Sequence, residues 1–316
     1  MRPLEALISQ ARRGTENDDV GVERGIQDIE FIQYFNDAQD HLQGEIVKHN
    51  STTFYKQVFD DVVGNQDEYV LPVDAFLDNR LVNIDFSHSG NVNDFYPINK
   101  RTLRERNSYM YPYINGYILS GNKIILDPIP QVNIVGGLRI NYVKKLLDLD
   151  VKRFQVSAVT LDAGTSTVTS LTIENLNSVA GDLDETKYNV LLEDNFLTVI
   201  DRLGVTKMLK VDFDSINQST GVVTVNSAFT YDEGESIAVG DFICKGKRST
   251  NRGELDSDIE RYLLAYVYWK ILKRDSSSDA SEAGEEMMAL MSDIVDNYKD
   301  GTDDIDFVPL IDESFV

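Results

Sequence analysis

Two hydrophobic periods divide this chain. From about Asp28 to Lys48 the apolar positions Ile29, Ile32, Phe35, Leu42 and Ile46 recur at spacings of three, four and seven. That pattern predicts an amphipathic helix with Asp28 as its N-cap. Upstream, residues 12–19 show no sustained period, and residues 1–25 read as an N-terminal arm. Downstream, from about Phe54 to Lys247, the period drops to two and turn residues punctuate it, as antiparallel β structure requires. Residues 68–72, Glu-Tyr-Val-Leu-Pro, predict a strand ended by proline. Residues 118–126 predict a hairpin about Gly121 and Asn122, stopped by Asp127-Pro128-Ile129-Pro130. Residues 138–143 predict a further strand. A second β block begins near Phe154 with strands at 167–173 and 188–192. It continues with a hairpin of 210–213 and 222–225 about a turn near Gln218 to Gly221, and its last strands lie between Tyr231 and Ile243.

The helical period returns at Leu255. Ser257 with Glu260 three residues on has the form of a capping box. Ile259, Tyr262, Leu263, Tyr266, Val267, Trp269 and Ile271 cover much of a helix circumference, which predicts burial on more than one side. A third helix is predicted from about Ala280 to Lys299, with a stripe of Ala283, Met287, Leu290 or Met291, Ile294 and Tyr298, and Gly301 as its stop. One helix of about 20 residues cannot bury its stripe alone in water. The expected fold is therefore α+β: a helical bundle from the N- and C-terminal segments, a large inserted antiparallel β region, and an extended C-terminal tail. The expected segments are the arm 1–25, the first helix 26–52, the β region 53–248 with blocks 53–149 and 150–248, the C-terminal helices 249–301, and the tail 302–316.

Charge narrows the function classes. The chain has 30 Lys and Arg against 53 Asp and Glu, a net charge of −23. That argues against gripping nucleic acid over the whole surface, which needs a basic footprint, and against adsorption to anionic membranes. No apolar run approaches the ~20 residues that span a bilayer. Residues 1–13 lack the apolar core of a signal peptide. A single cysteine, Cys244, excludes an internal disulfide and a cysteine-based zinc site.

Candidate chemistry is sparse. The sequence holds no Walker-type loop, GxGxxG, GxSxG or HExxH, so no catalytic, cofactor or metal residue is assigned and the chain reads as a non-enzyme. His41 and His49 are too far apart for a helical metal pair and read as exposed or capping; His88 lies in a turn. The doublets at 18–19, 60–61 and 303–304 do not continue into a calcium loop and read as solvated charge. Paired carboxylates for glycoside hydrolysis have no support beyond the abundance of acids.

Two segments point to partners. Tyr96, Tyr109, Tyr111, Tyr113 and Tyr117 lie among Arg101, Arg104 and Arg106, the mix that interface centres enrich. Tyr109, Tyr111, Tyr113, Arg104 and Arg106 are the candidate interface; the bland alternative packs the tyrosines on the sheet beneath, and a carbohydrate-binding surface is a third reading. The tail is acidic yet carries Ile305, Phe307, Val308, Pro309, Leu310, Ile311 and Phe315. Such a segment folds back on its own domain or docks on a partner in extended form, and docking is preferred.

The stretch Ser249-Thr250-Asn251, Glu254-Leu255, Ile259 to Leu263 and Lys273 to Ser277 resembles the C-terminal helical part of head-to-tail adaptor (connector) proteins of tailed bacteriophages. The helix containing residues 35–40, Phe-Asn-Asp-Ala-Gln-Asp, and the strand at 69–72 resemble the family's first helix and first β segment. The resemblance covers the helical framework and residues 26–147, with 150–246 similar to a variable insertion. It implies a structural protein of the virion neck, assembled in the host cytoplasm, that forms a ring of twelve copies beneath the portal. The ring would extend the DNA channel used in ejection and join the next neck or tail protein. It further implies that the tail grips the portal protein and that genomic DNA passes without specific binding, along an acidic channel face. No cofactor and no membrane contact is expected. The alternative is a tail or virion component whose β-sandwich binds a receptor or glycan.

Overall fold

The structure, a computed structural model, describes residues 1–15, 25–50, 52–76, 81–106, 114–162, 167–176, 179, 191, 195–229 and 237–300. It is α+β and forms two compact units. One unit holds residues 1–42 and 147–297; the other holds 43–146 and the end of the last helix from Tyr298. The division falls inside helix α2, Asp28–His49, after Leu42.

The second unit is built on a seven-stranded sheet. Its strands are β1 (Tyr55–Val62), β2 (Glu68–Val70), β3 (Leu81–Phe86), β4 (Tyr96–Arg101), β5 (Gly116–Ser120), β6 (Lys123–Asp127) and β7 (Ile134–Val143). They lie in the order β1-β7-β3-β4-β5-β6-β2, antiparallel except for the β4–β5 pair. One face carries the core: Ile84, Phe86, Ile98, Ile124, Leu126, Leu138, Ile140 and Tyr142 all point inward. The β5–β6 hairpin turns at Gly121, whose φ of +58° lies in the left-handed region that glycine enters without penalty. A smaller cluster of Val47, Phe76, Val143 and Phe54 joins the C-terminal half of α2 to the sheet.

The first unit contains a closed six-stranded barrel. Strands β9 (Phe154–Leu161), β10 (Val168–Asn175), β11 (Phe196–Ile200), β12 (Thr206–Asn217), β13 (Val222–Phe229) and β14 (Phe242–Lys245) pair in the order β10-β13-β12-β11-β14-β9, and β9 returns to β10. Alternate residues fill the interior, among them Phe154, Val156, Leu171, Ile173, Leu197, Val199, Phe213 and Val223. In the β12–β13 hairpin the Asn217 carboxamide accepts the Ser219 and Thr220 N–H groups, and Gly221 adopts φ +71°. A short parallel pair, β8 (Asp148–Leu149) with β15 (Ser249–Thr250), runs beside the barrel.

Helices α3 (Glu260–Arg274) and α4 (Ala280–Asp300) complete this unit. Tyr262 Oη and His41 Nδ1 lie 2.8 Å apart between α3 and α2. Lys270 reaches Asp37 at 3.7 Å, and Arg274 reaches Glu30 at 3.5 Å. Gly284 of α4 lies against the Trp269 indole, where a Cβ would approach to 3.1 Å. The buried stripe of α4 is Ala283, Met287, Met291 and Val295, so of the two residues offered for its middle Met291 is the buried one.

Three sequence expectations are corrected. The first concerns the arm: residues 4–14 form helix α1, Leu4–Gly14. Leu4, Leu7, Ile8 and Ala11 recur at i, i+3, i+4 and i+7 and are buried, a period too short to see past the polar residues that follow. The second concerns Asp28, which begins α2 but spends its carboxylate on the buried Arg12 guanidinium. Arg12 also donates to Ile26 O at 3.2 Å and stacks over Phe31. The third concerns the capping box. Residues 257–259 form a 3-10 turn before α3, and Glu260 accepts hydrogen bonds from the backbone and guanidinium of Arg2 instead of capping. A charge-assisted bond outcompetes a neutral cap.

Candidate partner-binding site

The strongest sequence candidates, Ile305, Phe307, Val308, Pro309, Leu310, Ile311 and Phe315, lie outside the described residues, as do Tyr109, Tyr111 and Tyr113. Arg104 and Arg106 are described. Arg104 is the middle residue of a single 3-10 turn, Leu103–Glu105, that follows β4, and Arg106 caps its end. Its start is held by Glu105, whose carboxylate accepts Thr102 N at 2.8 Å and Thr102 Oγ1 at 3.0 Å. Those two bonds hold the Glu105 carboxyl below its ordinary range. The turn presents Leu103 and Arg104 to solvent, while Arg106 pairs with Asp67.

The other aromatic and basic residues of that segment are structural. Tyr117 is buried in the sheet core. Tyr96 donates to Ile114 O at 2.9 Å, and its ring packs on Phe86 and His88. Arg101 pairs with the buried Asp127 and bonds Asn115. For these three the bland reading holds: the side chains tie the segment to the sheet.

A second cluster was missed by sequence reasoning. It lies on the face of the seven-stranded sheet opposite the core. The register aligns Phe59 with Arg139 and Arg139 with Asp85 across β1, β7 and β3. Asp85 accepts from Arg139 Nε at 2.8 Å, Asn141 Nδ2 at 2.8 Å and Asn83 Nδ2 at 3.1 Å. Tyr55 Oη bonds Asn141, and burial pushes the Tyr55 phenol up. The Arg139 guanidinium stacks over Phe95 at 4.6 Å, and Phe95 meets Phe59 at 5.6 Å. Asp85 is 2% exposed although it belongs to the polar face, because these neighbours cover it. The pattern of strand β3 shows only a polar residue between two apolar ones. Its buried role depends on a pairing partner 54 positions away. Chemically the cluster is an arginine–aromatic contact whose guanidinium is held by Asp85 on one side and Phe95 on the other.

The histidines take different places. His41 is half-buried between α2 and α3, against Tyr262 and Tyr266, so its expected exposed role is corrected. His49 is exposed. His88 is an exposed loop residue whose Nε2 lies 3.0 Å from Tyr96 Oη. Burial drives the Cys244 thiol well above its ordinary value, which keeps it a protonated, unreactive core residue. Among the described residues no three His, Cys, Asp or Glu side chains are placed to hold a metal ion, and no helix is long and apolar enough to cross a membrane. No protein-family model and no curated protein matches the chain.

Proposed function

We propose that this chain is a structural protein of a tailed-bacteriophage virion, a head-to-tail adaptor that rings the DNA channel beneath the portal and offers a platform to the next neck or tail protein. The observation that carries the reading is the way the two ends of the chain meet. In one unit helix α1 packs with α3, with Arg2 just before α1 bonded to Glu260, and the first half of α2 meets α3 through Tyr262, Lys270 and Arg274, although more than 200 residues separate them in sequence. That arrangement favours a helical frame from both chain ends, with β regions carried between them as in the resembled family. In the ring, the helices form the bundle that contacts neighbouring copies. The acidic, apolar tail from Asp303 onward docks on the portal protein as an extended segment, gaining main-chain hydrogen bonds and apolar register. Genomic DNA passes through without a basic surface to hold it.

The test is co-assembly. Full-length chain mixed with its portal protein should form a ring visible by negative-stain imaging, and a chain ending at residue 302 should not. Unchanged co-assembly of the truncated chain would remove the tail from the mechanism; absence of any portal complex would remove the adaptor reading itself.

A further inference from the structure

The seven-stranded sheet ends on strand β2, three residues long, at one side and on β1, eight residues long, at the other. A long edge strand is a template for a further strand, because its outward N–H and C=O groups lack partners. The β1–β7 pairing shows which groups these are. Lys144 N donates to Phe54 O at 2.7 Å, so residues 54, 56, 58 and 60 turn their backbone groups toward β7, and residues 55, 57 and 59 turn theirs outward. Tyr55 N is taken by Thr52 O at 3.1 Å. At the other end, where the register shifts between Asp60 and Val62, the Asp61 N–H is taken by the Asp60 carboxylate at 2.9 Å. Between them, among the described residues, the backbone N–H and C=O groups of Gln57 and Phe59 have no partner on the outer side.

Beside this edge lies the end of the chain. Tyr298 O, near the end of α4, accepts Asn50 Nδ2 at 3.3 Å. Asn50 leads to Tyr55 through Thr52, whose N–H bonds Asn50 Oδ1 at 3.0 Å and whose carbonyl holds the Tyr55 N–H. Two residues followed by one such turn span no more than about 14 Å, the reach of four extended residues. Helix α4 ends at Asp300, and residues 301–316 continue from there outside the described residues. Residue 304 is therefore within reach of the start of β1. From that point the sequence alternates as a strand does: Asp304, Ile305, Asp306 and Phe307, then Val308. Pro309 follows and has no N–H to give to a ladder. The five residues 304–308 match the five of β1, 55–59, that precede its irregular end.

We propose that the C-terminal tail adds to its own β1 as a parallel eighth strand of the sheet, bonding Gln57 and Phe59 through residues 304–308. The direction follows from the entry point, since the tail leaves α4 at the end of the sheet where β1 begins. Charge agrees with it. A parallel strand brings Asp304 and Asp306 to the end of β1 that carries Lys56, and sets the uncharged residues Val308 to Ile311 toward the end that carries Asp60 and Asp61. Phe59, 45% exposed, gains an apolar neighbour on the sheet face. The added strand stands on the geometry of β1 and α4. Its release rests on the adaptor reading: β1 keeps the apolar tail out of water until the portal protein takes it in exchange.

The measurement is hydrogen exchange at the Gln57 and Phe59 amides in three chains: full length, ending at residue 302, and full length with Asp306→Pro and Phe307→Pro. Adjacent residues of a strand turn their N–H groups to opposite sides, so one of the two prolines faces β1 in any register. Neither change touches β1 or α4. Both altered chains should exchange these two amides about tenfold faster than the unaltered chain, as loss of one backbone hydrogen bond allows, while Lys56 and Val58, which face β7, keep their rates. Equal rates in all three chains overturn the proposal. So does an acceleration that spreads equally to Lys56 and Val58, which would report a loosened sheet. Protection of an isotope-labelled truncated chain by added unlabelled full-length chain overturns it as well, by assigning the edge to a second copy's tail. These outcomes involve no portal and leave the adaptor reading standing, just as a failed co-assembly leaves the added strand standing. In a portal complex the two amides should return to the rate of the truncated chain, and protection that persists there overturns the release.

Discussion

At the residue scale, the polar side chains that matter are those whose partners lie far away in sequence. Glu260 shows how environment decides such a group. Burial pushes its carboxyl up, but the backbone and guanidinium hydrogen bonds of Arg2 outweigh burial and leave it below its ordinary value of 4.5. A carboxyl depressed in the folded state stabilises the fold above the unfolded-state pKa and loses that contribution as pH falls through the folded one. Glu260→Gln should therefore flatten part of the fall in stability between neutral pH and the acid range, measured as urea midpoints across pH. An acid limb identical to wild type would show that the Arg2–Glu260 contact contributes nothing. Asp74 is a comparable case in the other unit: it accepts the Tyr142 hydroxyl at 2.6 Å and Lys56 Nζ at 3.1 Å. Burial raises the Tyr142 phenol so far that it remains a donor under all ordinary conditions.

At the element scale, α1 is the piece that sequence reading lost and the structure recovers. It is only 11 residues long, below the length at which an isolated helix persists in water, so its stability comes from docking. Leu4 and Leu7 are fully buried, and Glu5 bonds Asn251 and Lys152 N. The helix thus meets the buried Arg153–Asp150 pair through Asn251, whose Nδ2 donates to Asp150 O at 3.1 Å. Leu7→Ala should lower unfolding stability by about 2–5 kcal/mol, the range for truncating a fully buried leucine. Urea unfolding checks it, and a change within error would mean that α1 does not hold the unit together. The candidate interface at Leu103–Glu105 is the opposite kind of element. It is a single capped turn with its apolar residue outward, which the sequence reading did not single out.

At the scale of the whole molecule, charge is the dominant collective property. A net charge of −23 stores self-repulsion that folding concentrates into a smaller volume. Screening relieves it, since the Debye length falls from about 30 Å at 0.01 M to about 8 Å at 0.15 M ionic strength. The Tm should rise between those two salt concentrations, read by calorimetry on the wild-type chain. A Tm that falls would mean that specific ion pairs such as Arg12–Asp28 and Arg139–Asp85 outweigh the collective repulsion. In a ring the same acidity would leave DNA as traffic rather than ligand. It would also make self-association depend on local patches where apolar surface and opposite charge overcome the general repulsion.

The sequence by itself determined the elements with strong local signals. Helix α2 was legible from its apolar spacing, the β5–β6 and β12–β13 hairpins from their turn residues and period of two, and α3 from apolar residues around its circumference. These depend on neighbours within a few positions, where backbone sterics and periodicity act directly. Only the tertiary structure decided how the strands of the β region pair. One part is an open sheet of seven strands and the other a closed barrel, because strand order is set by pairing across long sequence separations. The same holds for the polar groups. Asp28 and Glu260 each bind an arginine that their local pattern did not suggest, and Asp85, for which the pattern offered no partner, binds Arg139, since a guanidinium brought close by folding binds a carboxylate strongly.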